Sequence, residues 1–593
     1  MSKLSPLPIV APPGVVLTET GRVAEGRWTA SRNIRFVKGL PQKIGGWEQA
    51  FTEPTDGTPR AMHAWRDNDS VQYIAVGTYK KLYVYDADLA QNDITPFRDE
   101  GSLTNPFSTT SGSNVVEVED AGHGLGVGDI IYYSGASSVG GLDLNGQHVV
   151  NTVIDTNNYA ITASSNATST ATGGGTVDFS YEIQIGVETG AYGYGWGVGG
   201  WGLGTWGTSR YVSTIFIEPR VWSLDHFGKF LIGTYNTGTI YIFDPTQAKP
   251  WPRATPADPS APDNARSLFV TPERFVMALL DNMQIAWCSQ GDYTIWTPAI
   301  GNTANIRTLT EGTKLVSGRV LADFVSLIWT DAALYRFQYT GTTYVYNSSM
   351  VAKDCGLISP GAAVTAGGIA FWMGADTFWM YDGGSVRPMP NVEDIRSFVF
   401  RELDVNMVYQ TTSVFSPQHN EVWFFYTVSG ENNPSKGVVF SIENQCWAPL
   451  DFGRAGGTHL TQGDTRPYMG TSDGFIMQHE VGYDADGDVL PASLTLAPFA
   501  MSEGYVHMDV EYFVPDFKDQ VGAVAMMITT MDRLNDSSSE DHESESIAVM
   551  DSGTIDLRVS GRYLGLMLES NSSGCYFRFG KPVVFIRPSG VRS

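Results

Sequence analysis

The sequence predicts an all-β protein: a β-propeller of six or seven blades, with an inserted small β-barrel and a C-terminal β-sandwich-like domain. Three observations predict this fold. The 593 residues are 42% hydrophobic, 12% aromatic and only 17% charged, with 64 glycines, which favours packed strands and tight turns. One hairpin pattern recurs along the chain, and a single segment of different composition interrupts it. A chain of this length is too large for one hydrophobic core, so several compact parts are expected.

The recurring pattern is an apolar strand, a short polar or glycine-containing turn, and a second strand with an aromatic residue. Each copy has the alternation and turn residues of a β-hairpin. The clearest copies span residues 73–86, 230–244, 275–288, 326–339 and 369–383, and looser ones follow at 421–440 and 468–478. Anchor residues in successive copies lie roughly 45, 49, 44, 60 and 37 residues apart, close to the length of a four-stranded blade. These anchors are Tyr241, Ala286, Tyr335, Trp379, Val439 and Ile476. A set of unrelated hairpins in a sandwich is the alternative, because the spacing drifts.

Composition then divides the chain into five parts. Residues 1–104 hold an N-terminal strand and the first propeller hairpins, and residues 105–183, rich in Ser, Thr, Gly and Asn, form the inserted small β-barrel. Residues 184–210 are a Gly/Trp-rich segment, and residues 211–490 contain the remaining blades. Beyond residue 490 longer strands replace the hairpins, which suits a C-terminal sandwich over 491–593.

In the Gly/Trp-rich segment, Trp196, Trp201 and Trp206 recur every five residues among glycines. This spacing has no helical period and does not fit an ordinary strand over its full length. Rings placed in this way need a surface to cover. We therefore predict an interface at these three tryptophans.

Charge and cysteine usage exclude several classes of protein. The formal net charge of -25 argues against sequence-independent gripping of a phosphate backbone, which requires clustered Lys and Arg. The four cysteines lie far apart, so we expect small buried apolar residues instead of a metal site or a disulfide framework. The Pro-broken N-terminus does not fit a signal peptide, and no apolar run is long enough for a membrane span.

The sequence predicts no catalytic, cofactor-binding or metal-binding residue. The nine histidines are scattered, and no GxSxG, HExxH or CxxC motif occurs. Alternate carboxylates at Asp484, Asp486 and Asp488 suggest a calcium loop, but the glycine comes too early and the twelfth position is Thr495 instead of Glu. We expect a solvated turn there between the propeller and the last domain.

One segment resembles a known small barrel. Residues 115–150, centred on His123-Gly124-Leu125 and Gly128-Asp129-Ile130, are similar to the barrel named after the first catalytic-cysteine half-domain of ubiquitin-activating enzymes. The likeness covers roughly 70 residues with the strand that follows and Gly173–Gly175. The adenylation domain and the catalytic-cysteine context of those enzymes are absent, so the resemblance does not imply ubiquitin chemistry. It implies a module that decorates phage structural proteins.

The rest of the chain resembles the tail hub, also called the packaged-DNA stabilisation or nozzle protein, of short-tailed phages of the Salmonella lambdoid type. Three stretches carry this resemblance: 31–47, the hairpins of 275–383 with Asp354-Cys355-Gly356, and 561–580. It implies a non-enzymatic virion protein of the tail, synthesised in the host cytoplasm. It also implies a homo-hexameric ring below the head-to-tail adaptor ring that extends the DNA channel, retains packaged DNA and holds the tail needle, fibre or spike proteins. Acidic walls would let the passing genomic DNA slide without sequence-specific binding.

Two other functions stay open at this point. The propeller-bearing nozzle of T-odd short-tailed phages does much the same work. A propeller glycosidase or glycan-binding protein is a different class, in which Trp372 and Trp379 could stack on sugars, although such rings more often pack between blades.

Overall fold

The computed structural model describes residues 4–88, 90–195, 210–236, 238–342, 344–460, 463–502, 504, 506–534, 542–549 and 553–590. The protein is all-β, with 50% of its residues in strands and 3% in helices. Its main body is a propeller of seven four-stranded antiparallel sheets. The predicted fold class is therefore confirmed, and the blade number is seven.

The first four blades are numbered in chain order, and in each the strands pair consecutively. Blade 1 comprises Ala61–Arg66, Gln72–Gly77, Leu82–Tyr85 and Asn92–Asp93. Blade 2 comprises Trp222–Phe227, Phe230–Tyr235, Tyr241–Phe243 and Thr255–Pro256. Blade 3 comprises Ala265–Val270, Val276–Leu280, Gln284–Trp287 and Asn305–Thr308, with the 3-10 turn Asp281–Met283. Blade 4 comprises Leu315–Ala322, Val325–Thr330, Ala333–Tyr339 and Tyr346–Lys353.

The last three blades include the closure of the ring. Blade 5 comprises Ala363–Ala366, Ile369–Met373, Phe378–Tyr381 and Val386–Pro388, and blade 6 comprises Thr412–Ser416, Glu421–Tyr426, Lys436–Ser441 and Cys446–Leu450. Blade 7 comprises Gly456–His459, Pro467–Gly470 and Ile476–His479. Its fourth strand is Trp47–Gln49, which pairs antiparallel with Ile476–His479. A strand that precedes blade 1 in sequence thus completes the last blade and locks the ring.

The recurring hairpins of the sequence are the second and third strands of the blades. All six anchor residues lie on third strands. These middle strands are almost wholly buried because each is covered on both faces by neighbouring blades, which explains their continuous apolar runs.

The first strands of the seven blades form the inner ring, each in contact with the first strand of the next blade, and blade 7 returns to blade 1. Packing between them is close. A Cβ added to Gly318 of blade 4 would lie 2.2 Å from the ring of Phe269 in blade 3, so only glycine fits there.

The inserted barrel lies between blades 1 and 2 in the chain. Eight strands form one nearly closed sheet. They are Phe97–Thr104, Phe107–Thr109, Val115–Glu119, Ile130–Ser134, Gly146–Val153, Asn158–Thr162, Ala171–Gly173 and Thr176–Glu182. In Val115–Glu119 the exposed and buried side chains alternate strictly, as a strand with one solvent face requires. A two-stranded antiparallel sheet of Ala191–Gly195 and Arg210–Ile217 follows the barrel.

The third part combines strands from both ends of the chain in three sheets. The first sheet holds Ser5–Pro8, Val583–Gly590, His507–Val514 and Ile555–Gly561. The second holds Trp28–Arg32, Ala492–Ala500, Tyr563–Ser570, Val524–Met531 and His542–Val549. The third holds Ile34–Val37, Leu40–Lys43, Tyr576–Phe579 and Phe517–Val521.

Two boundaries differ from the predicted ones. Residues 5–43, grouped with the first propeller hairpins in the sequence analysis, pair with the C-terminal strands instead, and the barrel begins at Phe97 instead of residue 105. Pairing between strands some 460 to 580 residues apart leaves no local signal in the sequence.

The single α-helix of the described residues is Val392–Glu402, between blades 5 and 6. Val392, Ile395 and Val399 form its buried face and pack into the core shared by those blades. A 3-10 turn, Val408–Gln410, follows it. Within the described ranges, no helix has the length and apolar character that crossing a membrane requires.

Candidate functional site

The inner ring of first strands carries a cluster of polar side chains where blades 1 and 2 meet. His63 lies on the first strand of blade 1, and Asp225 and His226 lie on the first strand of blade 2. The side chains are 21%, 22% and 43% exposed, so the group is enclosed but reachable from solvent. Among the described residues, this is the one group of three or more His, Cys, Asp or Glu side chains whose ligand atoms converge. We call it the channel cluster, after the central axis of the propeller, which the first strands of the blades surround.

The distances within the channel cluster are short. His63 Nε2 lies 3.0 Å from His226 Nδ1, and the two rings stack with their centroids 5.2 Å apart. Asp225 Oδ1 lies 3.7 Å from His63 Nε2 and 3.4 Å from His226 Nδ1. The three atoms therefore lie within 3.7 Å of one another, and they belong to two different blades.

The backbone around the channel cluster fixes the carboxylate. The Val270 backbone N–H of blade 3 donates to Asp225 Oδ2 at 2.8 Å, and the His226 N–H donates to Oδ1 at 2.8 Å. The ring of Trp65 lies nearly parallel to that of His63, with centroids 6.2 Å apart. The carboxylate and one imidazole are thus held in place before any ligand arrives.

Burial determines the protonation of the channel cluster. Burial lowers the pKa of His63 to about 4, with smaller contributions from His226 and from Arg319 in blade 4, against the opposing effect of Asp225. For Asp225, burial favours the neutral acid, but hydrogen bonding to His226 and the nearby histidines hold its pKa below the usual range. At neutral pH the site therefore offers a neutral imidazole at His63 and a carboxylate at Asp225.

A second set of charged side chains joins the propeller to the terminal sheets. Arg35 is fully buried, and its Nη1 and Nη2 donate to Glu480 of blade 7 at 2.9 and 2.5 Å. Its Nε lies 3.4 Å from Glu421 of blade 6. Burial alone would raise the pKa of Glu480. The charge of Arg35 and hydrogen bonds from His419 and Arg35 instead hold this pKa far below its usual range. The same junction has a shared apolar core that runs from blades 6 and 7 into all three terminal sheets.

A third set joins the barrel to blades 1 and 2. Lys81 Nζ of blade 1 donates to both carboxylate oxygens of Glu182 in the barrel at 2.7 Å and to Asp93 at 2.9 Å. Arg253 lies 3.2 Å from Glu182 and donates to the Tyr132 hydroxyl at 2.7 Å. Burial alone would raise the pKa of Asp93, but the charges of Lys81 and Arg253 lower it. The barrel is therefore attached to blades 1 and 2 by buried ion pairs as well as by the two chain segments that connect it to them.

The residues singled out in the sequence have different outcomes. Trp196, Trp201 and Trp206 lie outside the described residues. The loop of Asp484 and Asp486 is a turn between the propeller and the terminal sheets, as predicted: Asp484 accepts hydrogen bonds from Ser573 and Gly574 at 2.7 Å, and Asp486 accepts one from the Gln49 backbone at 3.2 Å.

The cysteines are buried, and of the two tryptophans considered as sugar platforms Trp372 is buried and Trp379 is partly buried. Cys288, Cys355, Cys446 and Cys575 are all free and buried, as predicted, and burial raises the pKa of the Cys288 thiol to about 12. The indole of Trp372 is fully buried and donates to the Cys355 carbonyl at 2.9 Å, so it is not available to a glycan.

The motif that resembles the half-domain barrel builds a turn. His123 Nδ1 accepts from the Leu125 backbone N–H at 3.0 Å, and Asp129 Oδ2 accepts from the Gly126 N–H at 2.9 Å. These side chains are occupied by local structure.

Sequence reasoning missed the channel cluster. Asp225 and His226 are adjacent in the chain, but His63 lies 162 positions earlier. The one local signal was an Asp-His pair on a strand that opens a blade, where inner-strand side chains from neighbouring blades converge.

Comparison with known proteins gives little more. No protein-family model matches the chain, and no curated protein matches it. Among solved structures it is similar to a phage phi92 endosialidase, with 11% sequence identity and a TM-score of 0.21, over 81% of this chain and 76% of that one. At this identity and TM-score no residue role is transferred to this chain.

Proposed function

We propose that this chain is a non-enzymatic structural subunit of the tail of a short-tailed phage, a hub or nozzle protein. In this role, copies of the chain form a ring, a homo-hexamer, below the head-to-tail adaptor. The ring extends the DNA channel, retains packaged DNA and attaches the distal needle, fibre or spike proteins.

The observation that carries this proposal is how the three parts are joined. The propeller ring is closed by a strand from the other end of the chain, and the terminal sheets share one core with blades 6 and 7. The barrel is docked through the buried charges of Lys81, Glu182 and Arg253. We expect a subunit joined in this way to resist hinging between its parts, as a channel under the pressure of packaged DNA requires.

Two further features support it. The stretches of the sequence that resemble tail hubs include the hairpins of blades 3 to 5. The net charge of -25 disfavours tight binding of DNA, which suits a wall past which DNA must slide.

The oligomeric state of the purified chain tests the proposal. We expect mass photometry to find a closed oligomer, alone or after addition of the adaptor ring, and incubation with polysialic acid and other cell-surface glycans to release no sugar. A chain that stays monomeric with the adaptor and hydrolyses a glycan would instead be a propeller glycosidase.

A further inference from the structure

We propose that the channel cluster binds one divalent transition-metal ion, of which Zn²⁺ is the expected one, through His63 Nε2, His226 Nδ1 and Asp225 Oδ1. The ion would join blade 1 to blade 2 inside the central channel. This inference does not depend on the role of the chain in a phage tail.

The first argument is the spacing of the three atoms. Zn²⁺ binds imidazole nitrogen and carboxylate oxygen at about 2.0–2.2 Å, so two ligand atoms of a tetrahedral site lie about 3.4 Å apart. In the channel cluster the three separations are 3.0, 3.4 and 3.7 Å. The atoms are spaced like one face of a coordination tetrahedron, whose fourth position a water molecule would fill.

The second argument is the chemistry of the donors. Two imidazoles and one carboxylate are a set that suits zinc and its transition-metal neighbours, whereas calcium and magnesium prefer oxygen ligands alone. Without an ion, one imidazole must donate to the other across the 3.0 Å contact. With an ion, that proton resides on the remote nitrogen of its own ring, and both lone pairs face the metal.

The third argument is the support behind the donors. A metal-binding carboxylate is normally oriented by hydrogen bonds from residues around it. Here the Val270 N–H holds the Asp225 oxygen that faces away from the site. Blade 3 thus positions the blade 2 carboxylate that would bind the ion.

The location gives the ion a structural purpose. Blades 1 and 2 are separated in sequence by the barrel and the Gly/Trp-rich segment, so this seam has the longest connection in the ring. The Trp65 indole donates to the Lys229 carbonyl at 3.0 Å, and the Trp222 indole donates to the Thr78 carbonyl at 3.1 Å across the same seam. A metal bond between the first strands would add a cross-link on the channel side.

Arg319 provides a second way to test the site. Its positive charge interacts with Asp225 and His63, and its guanidinium donates to Ser317 Oγ at 3.0 Å and to the Gly318 carbonyl at 2.9 Å. A fixed positive charge there repels a dication. The R319M substitution should therefore tighten binding several-fold, an effect that a purely hydrogen-bonded seam would not produce.

The experiment uses the full-length chain without an affinity tag, stripped with a chelator. Co²⁺ is titrated and its visible absorption recorded, and Zn²⁺ affinity is measured by competition with a fluorescent chelator. We expect one ion per chain, a Co²⁺ spectrum of tetrahedral type and competition by Zn²⁺. H63A, D225N and H226A should each weaken Zn²⁺ binding at least tenfold.

His459→Ala is the matched control. His459 is also on a first strand, in blade 7, and burial also lowers its pKa, but its ring contacts Phe415 instead of a carboxylate. H459A should bind Zn²⁺ as the unsubstituted chain does. If a channel-cluster variant fails to fold, a measurement on the unsubstituted chain takes its place. Diethyl pyrocarbonate modification of His63 and His226 is measured by mass spectrometry with and without Zn²⁺, and we expect Zn²⁺ to protect both residues. No stoichiometric binding, or equal losses in H459A and H63A, would overturn the proposal.

Discussion

Replacing Arg35 by methionine should destabilise the junction between the propeller and the terminal sheets more than any single surface change. Arg35 is fully buried, and Glu421 and Glu480 beside it are 1% and 5% exposed. Without the guanidinium, two carboxylates remain in a site that water does not reach. Removing one partner of a buried ion pair typically costs about 3–5 kcal/mol. This lowers the ratio of folded to unfolded protein by about 10²- to 10⁴-fold.

The neighbouring strand offers a control of the same residue type. Arg32 pairs with Asp451 at 2.5 Å, but the two side chains are 45% and 42% exposed. An exposed pair of this kind contributes about 0–1 kcal/mol, so R32M should change stability little. The difference in stability between R35M and R32M therefore separates the effect of burying the ion pair from the effect of losing an arginine.

The assay is urea unfolding at pH 7, followed by tryptophan fluorescence and by size exclusion. A triple variant, R35M with E421Q and E480Q, should recover most of the loss because it leaves no unpaired charge in the junction. If R35M is no more destabilising than R32M, or if the triple variant is worse than R35M alone, the buried network does not hold the two parts together.

Three further predictions concern other parts of the molecule. Gly318→Ala should destabilise the inner ring by about 1–3 kcal/mol through overpacking. Gly384→Ala, whose added Cβ lies 3.4 Å from its nearest neighbour, should not destabilise the protein. Urea unfolding measures the stability of both variants. Lys81→Met should expose the connections of the barrel to limited proteolysis, and Lys80→Met, which removes a more exposed pair, should leave the cleavage pattern unchanged. In the presence of a chelator, stability should fall as the pH drops from 6.5 towards 4, because the unfolded chain protonates His63 before the folded chain does. The contribution of that one side chain is at most about 3 kcal/mol, and the stability of H63A, measured over the same pH range, should fall less steeply.

The propeller could be predicted from the sequence because its signal is local. The second and third strands of a blade are adjacent in the chain and buried on both faces, so their apolar runs and turns repeat at blade length. The anchors Tyr241 to Ile476 therefore all fall on third strands. The first and fourth strands, more exposed and more polar, left a weaker pattern, and the blade count stayed open between six and seven.

The pairing of strands that lie far apart in the chain could not be predicted from the sequence. Trp47–Gln49 closes blade 7, and Ser5–Pro8 pairs with strand Val583–Gly590, but a short strand carries no mark of a partner hundreds of residues away. The channel cluster was missed for the same reason. His63 became a candidate only when the ring placed blade 1 beside blade 2.

Cryo-electron microscopy of the chain bound to the head-to-tail adaptor of its own particle tests the central claim most directly. The account predicts a six-fold ring coaxial with the adaptor, with the seven-bladed propeller, barrel and terminal sheets of each copy in one fixed arrangement around an open channel. Single copies bound at the periphery, or copies whose barrel and terminal sheets take many orientations relative to the propeller, would contradict it.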